Sequence, residues 1–193
     1  MKKILCLVLV LVLMLSAFVA CGNEPNGDLP ENETHTSSGD KTDKADTNFT
    51  APEGFTLYQN ENIAFAYPSD WTQIDDDPTF VSPDNTKSIT LTQQETSYEG
   101  LDTQKYVQKV RPELEAQGKK LVSARVGQED KNGLTVTDIL QTFSTEGQEG
   151  ETYQNIYAFD IKGKTYVITV TQPNGFEVDK TLGETVCESI VMK

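Results

Sequence analysis

Hydrophobic positions fall into three regimes along the chain. An unbroken apolar run from Ile4 to Ala20 follows Lys2 and Lys3 and stops at Cys21-Gly22-Asn23. From about Gly22 to Glu53 apolar residues stand singly among Asn, Asp, Glu, Thr, Ser, Gly and Pro, so this stretch buries too little surface to fold. From Phe55 onward apolar residues recur mostly with the period of strands and, in two places, with that of helices.

The third regime predicts the elements of one domain. Phe55-Thr56-Leu57-Tyr58 and Ile63-Ala64-Phe65-Ala66-Tyr67 read as a hairpin around Asn60-Glu61-Asn62, with Ile63, Phe65 and Tyr67 on one face. Pro68-Ser69-Asp70 supplies a turn, after which Trp71 folds back on the sheet, and Phe80-Val81 leads through Pro83-Asp84-Asn85 to Lys87–Thr92. A helix is expected from Asp102 to Gln117, with Asp102 as N-cap, Leu101 and Tyr106 as a hydrophobic staple, and Tyr106, Val107, Val110 and Leu114 as its stripe. Gly118 stops it, and Pro112 is expected to kink it or break it near Arg111.

Four strand-like runs follow: Leu121 to Gln128, Leu134 to Phe143, Thr152 to Ile161 and Thr165 to Gln172. Asn132-Gly133 and Lys162-Gly163 read as hairpin turns, and 146–150 as a longer acidic loop. These connections are too short for helical crossovers, so the strands should be antiparallel neighbours. Val178, Leu182, Val186 and Ile190 place a closing helix over Glu177 to Val191. The expected class is α+β, an antiparallel sheet flanked by helices.

The first regime is an address rather than part of the fold. A basic start, an apolar run and small residues before a processing point make an export signal, and Val19-Ala20-Cys21 resembles the end of a bacterial lipobox. Cleavage there would leave a lipid-modified Cys21, whose acyl chains, at about 0.8 kcal/mol per buried CH₂, hold a protein on a membrane. The alternative is an uncleaved signal anchor, since Ile4 to Ala20 is near the shortest span of a bilayer. The expected organisation is signal peptide 1–20, lipidated Cys21 with a flexible acidic linker over 21–53, and a globular domain over 54–193. A linker of that length has a reach of roughly 30 Å. The expected location is the extracytoplasmic face of the cell membrane.

Charge narrows the partners. The 193 residues carry 16 Lys and Arg against 30 Asp and Glu, a net charge of −14; losing Lys2 and Lys3 with the leader takes it two units further, to −16. Such a chain repels polyanions, and no nucleic-acid partner is expected. Basic residues nevertheless gather at Lys105, Lys109, Arg111, Lys119, Lys120 and Arg125, as a docking face or as an ordinary solvated one. Of the three cysteines Cys6 leaves with the leader and Cys21 takes lipid, so Cys187 has no disulfide partner and reads as a small buried side chain.

The catalytic inventory is thin. His35, the only histidine, falls in the linker, which excludes Ser-His-Asp and Cys-His nucleophilic systems and a His-based zinc site from the domain. Asp75, Asp76 and Asp77 offer oxygen ligands to a divalent cation but lack the spacing of a calcium loop. Glu146, Glu149 and Glu151 are a second acidic group of the same kind. Trp71 could stack on a sugar or anchor the core. Tyr153, Tyr157 and Phe159 share one strand face, with Tyr166 on the next strand: they line a groove if no helix covers them and are core if one does. No cofactor is expected.

The run Ile63-Ala64-Phe65-Ala66-Tyr67-Pro68-Ser69-Asp70-Trp71, followed by a helix, an antiparallel meander and a closing helix ending near Ser189-Ile190, resembles the PsbP-like and DcrB-like lipoproteins from about Phe55 to Met192. The resemblance implies an α/β/α sandwich around an antiparallel sheet, and proteins that act by binding or assisting others rather than by catalysis. The expected function is thus a membrane-anchored, non-enzymatic binding or accessory module for an envelope protein. Lys105, Lys109, Arg111, Tyr153 and Tyr157 are its candidate binding surface. A solute- or divalent-ion-binding lipoprotein and a carboxylate-based extracytoplasmic hydrolase are the alternatives.

Overall fold

The alternating runs between Leu121 and Gln172 become the long strands of an antiparallel meander in a computed structural model, which describes residues 50–75, 77–174 and 179–193. The leader, Cys21, the linker through residue 49, Asp76 and Val178 lie outside the described residues. In chain order the elements are β1 (Phe55–Gln59), β2 (Ile63–Pro68), β3 (Thr72–Gln73), β4 (Thr79–Val81), β5 (Ser88–Gln94), α1 (Thr103–Glu115), β6 (Lys119–Lys131), β7 (Leu134–Thr145), β8 (Glu151–Ile161), β9 (Lys164–Asn174), α2 (Lys180–Glu188) and β10 (Val191–Met192).

The main sheet has seven strands in the order β3-β4-β5-β9-β8-β7-β6, with every pairing antiparallel. Its two tightest hairpins turn at Asn132-Gly133 and Lys162-Gly163. Both residues of each turn have positive φ (50° and 79°, 52° and 78°), the geometry that matches the twist of the flanking strands. β1, β2 and β10 form a separate three-stranded sheet.

Alternation assigns the sheet two buried faces. One carries Ile139, Phe143 and Ile156 against Tyr106, Val110 and Leu114 of α1. The other carries Val136, Tyr157, Phe159, Ile168 and Val170 against Leu182, Val186 and Cys187 of α2 and against Ile63 and Phe65 of the small sheet. The α+β class stands. The second outer layer, however, is a helix and a three-stranded sheet together.

The layers are joined by specific contacts. Phe80 of β4, fully buried, lies 4.1 Å from the Tyr67 ring and 5.5 and 5.9 Å from those of Tyr58 and Phe65. The buried Ser189 hydroxyl accepts from the Ala66 amide at 2.7 Å and donates to the Val186 carbonyl at 2.6 Å, tying the end of α2 to β2. The Asn132 amide donates to the Glu188 and Ile190 carbonyls at 3.0 and 2.9 Å, so the β6–β7 turn closes the C-terminal end of α2. At its other end the buried Gln172 side chain donates to the Asp179 carbonyl and accepts from its amide. Under α1, the Tyr106 hydroxyl donates to Gln141, Gln141 to Gln154 and Gln154 to Thr171, a polar ladder across β7, β8 and β9.

Four expectations are corrected. α1 runs unbroken from Thr103 to Glu115 with Pro112 inside it. The proline comes late, and its own carbonyl still receives the Ala116 amide at 3.0 Å. The closing helix is nine residues, starting at Lys180 behind an Asp179 cap and ending at Glu188, because Val191 pairs with Ala64 as a strand instead. The first hairpin leaves the main sheet for the small one. The four long strands also extend past their expected ends, most of all β6, which begins at Lys119 and runs to Lys131.

Candidate functional site

A nine-residue helix is about 13 Å long, too short to cover the whole face on which it lies. Beside it, over β6, β7 and β8, a pocket of about 360 Å³ opens. Strand alternation determines which side chains reach it: Arg125 and Glu129 from β6, Asp138 and Leu140 from β7, and Tyr153, Asn155 and Tyr157 from β8. α2 adds Lys180, Glu184, Cys187 and Glu188 along one wall.

Asp138 dominates the chemistry. Its side chain is 15% exposed, and Oδ2 accepts from Arg125 Nη2 at 3.4 Å. Oδ1 is buried with no hydrogen-bond partner among the described residues. Burial pushes this carboxyl above its ordinary range; Arg125 offsets part of the shift and Glu129 adds to it. Arg125 is itself 70% exposed, so its hold on the carboxylate is a weak surface pairing. Lys131 is engaged with Glu129 at 3.2 Å.

Two tyrosines and an asparagine of β8 flank Asp138. Tyr157 is 3% exposed, and burial drives its phenol well above the ordinary value. Tyr153, half-buried, is shifted the same way by burial and by the Asp138 charge, while a hydrogen bond with Asn155 lowers it. Asn155 Oδ1 is a second buried acceptor with no partner among the described residues. Burial raises the Cys187 thiol to about 12, which keeps it protonated and unreactive.

The candidate binding residues do not converge. Lys105, Lys109 and Arg111 are exposed on α1, on the sheet face opposite to that of Tyr153 and Tyr157. Lys105 donates to the Gly100 carbonyl at 3.0 Å, and Lys109 sits 5.7 Å from the Tyr98 ring centre. Arg125, grouped with them in the sequence, turns to the other face and pairs with Asp138. The aromatic strand face divides: Phe159 and Tyr166 are core, Tyr157 is core with an edge on the pocket, and Tyr153 lines the pocket. Trp71 is half-buried against the core. Asp75 and Asp77 lie in an exposed turn, and no group of three acidic, His or Cys side chains able to hold a metal occurs among the described residues.

Asp138 and Asn155 were missed by the sequence reading. The available signal was a charge at Asp138 in the otherwise apolar register Leu134, Val136, Leu140 of a strand.

Architecture and site together define an α+β antiparallel-sheet protein of PsbP-like fold. The structure is similar to the solution structure of cyanobacterial PsbP (CyanoP) from Synechocystis sp. PCC 6803, at 15% identity, over 77% of this chain and 98% of that one, with a TM-score of 0.57. That likeness concerns the fold alone. A protein from Bacteroides thetaiotaomicron (16% identity, 68% of this chain and 45% of that one, TM-score 0.41) and a Pseudomonas aeruginosa protein of unknown function (18%, 61% and 82%, 0.35) are more distant and carry no argument. No family model and no curated protein matches the chain. No helix among the described residues is long and apolar enough to cross a membrane.

Proposed function

We propose that this is a lipoprotein anchored through Cys21 to the extracytoplasmic face of the cell membrane, where its PsbP-like domain serves as a non-enzymatic binding or accessory module for an envelope protein. The observation that carries this reading is the pocket beside α2, a recess with one buried, under-paired carboxylate. A recess of that kind is equipped to grip a group. The hydrolase alternative needs two carboxyls set to different protonation states. Asp138, displaced upward by burial, is one such carboxyl, and among the described residues no second carboxylate has a buried oxygen left unpaired beside it. Of the remaining alternatives, small-solute binding uses the same pocket, whereas a divalent ion finds no ligand cluster among the described residues.

The test is in-cell crosslinking with mass spectrometry on the native protein and on a Cys21→Ala form. One dominant envelope partner that disappears in the Cys21→Ala form is the expected result. Absence of any partner in both forms overturns the accessory reading.

A further inference from the structure

We infer that the pocket over Asp138 is a receptor for an organic cation, the ammonium or guanidinium group of a basic protein side chain or of a free amine. The inference deepens the binding-module reading and rests on it, naming what that module grips.

Three observations converge. The first is the state of the Asp138 carboxylate, which has one oxygen on an exposed arginine at 3.4 Å and the other buried without a partner among the described residues. A charge taken out of water is strongly destabilising unless it is paired and hydrogen-bonded. A ligand bringing two or more N–H donors on a positive centre supplies what Asp138 lacks. The second is the wall: Tyr157 stands directly opposite Asp138 in the β7–β8 register, and Tyr153 lines the same pocket; tyrosine rings beside a carboxylate favour cations over neutral or anionic groups. The third is the lining as a whole, where Asp138, Glu129, Glu184 and Glu188 stand against Arg125, Lys131 and Lys180, an acidic surplus of one. The field at the mouth therefore attracts positive charge.

A metal ion is the other cation to consider, and the donor set disfavours it: among the described residues no triad of acidic, His or Cys side chains able to hold one converges there. Arg125 is then a placeholder. Its guanidinium sits on Oδ2 from an exposed position and can swing away when a ligand arrives, leaving that oxygen to the ligand.

The experiment is an NMR titration of the full chain in detergent micelles with cadaverine, agmatine and an end-blocked lysine peptide, and with 1-pentanol as a neutral control. The three cations should shift the amide signals of residues 136–140 and 153–157, and pentanol should not. Asp138→Asn should weaken binding by about tenfold or more, and Arg125→Ala, which frees the carboxylate, should tighten it. Tighter binding of the peptide than of the diamines marks a protein side chain as the source; the reverse order marks a free amine. Equal shifts with pentanol, no shift with any cation, or undiminished affinity in Asp138→Asn overturns the proposal. Arg125→Ala alters an exposed residue and keeps the test decisive if Asp138→Asn fails to fold. A partner captured in cells with no cation binding would sink only the pocket assignment. Cation binding without a partner would sink only the accessory role.

Discussion

A β-carbon placed on Gly183 would stand 2.8 Å from the Tyr157 hydroxyl and 2.9 Å from Asn155 Oδ1, so α2 lies on β8 at a separation only glycine permits. Tyr157 is buried in the core and cannot swing aside. Gly183→Ala should therefore destabilise the domain by about 1–2 kcal/mol, the overpacking strain exceeding the roughly 1 kcal/mol gained in helix propensity. Urea unfolding measures this, and Tyr157→Phe in the same background should recover part of the loss.

Asp138 ties stability to pH. Its folded carboxyl titrates above the ordinary value of 3.8, chiefly because it is buried. The protonated form thus favours the fold. Its contribution is complete below the unfolded value and is lost as pH rises through the folded one. Asp138→Asn should accordingly be more stable than the parent at neutral pH, since the pairing with exposed Arg125 that it gives up is worth little. The gap should close as pH falls below about 4. Denaturant midpoints measured across that range provide the check.

Phe80 is one of the contacts through which the small sheet meets the large one. Three aromatic rings from β1 and β2 surround it, and none of its surface is exposed. Phe80→Ala should cost about 3–5 kcal/mol, and Tyr67→Ala, at the half-buried edge of the same cluster, distinctly less. Equilibrium unfolding of the two variants separates these outcomes.

Cys187 should resist alkylation in the native state. A thiol raised to about 12 by burial carries almost no thiolate at neutral pH. Peptide mapping after iodoacetamide treatment should find it unmodified until denaturant is added.

The meander was legible in the sequence because its signals are local. Asn132-Gly133 and Lys162-Gly163 define two turns by backbone conformation, and the residues between them alternate strictly enough to define both buried faces. α1 was readable from its start, where Asp102 accepts from the Lys105 amide at 2.8 Å and Leu101 packs into the cluster of Tyr106. Its passage through Pro112 was not, since packing of Val110 and Leu114 against the sheet outweighs one missing hydrogen bond. β10, two residues long, carries no periodicity and exists only because β2 offers it an edge. The pocket was illegible for a related reason. Alternation gives the face to which Asp138, Tyr153 and Asn155 belong, but which part of that face stays open depends on where a nine-residue helix ends.

The pairing of Val191 with Ala64 and Met192 with Ile63 joins two ends of the domain. The small sheet therefore cannot be completed until the final strand has been synthesised, and until then β2 keeps an open edge able to pair with another chain. Contacts so distant in sequence form late and slowly. Between the appearance of β2 and the docking of β10, a strand edge that the folded domain covers is open to intermolecular pairing.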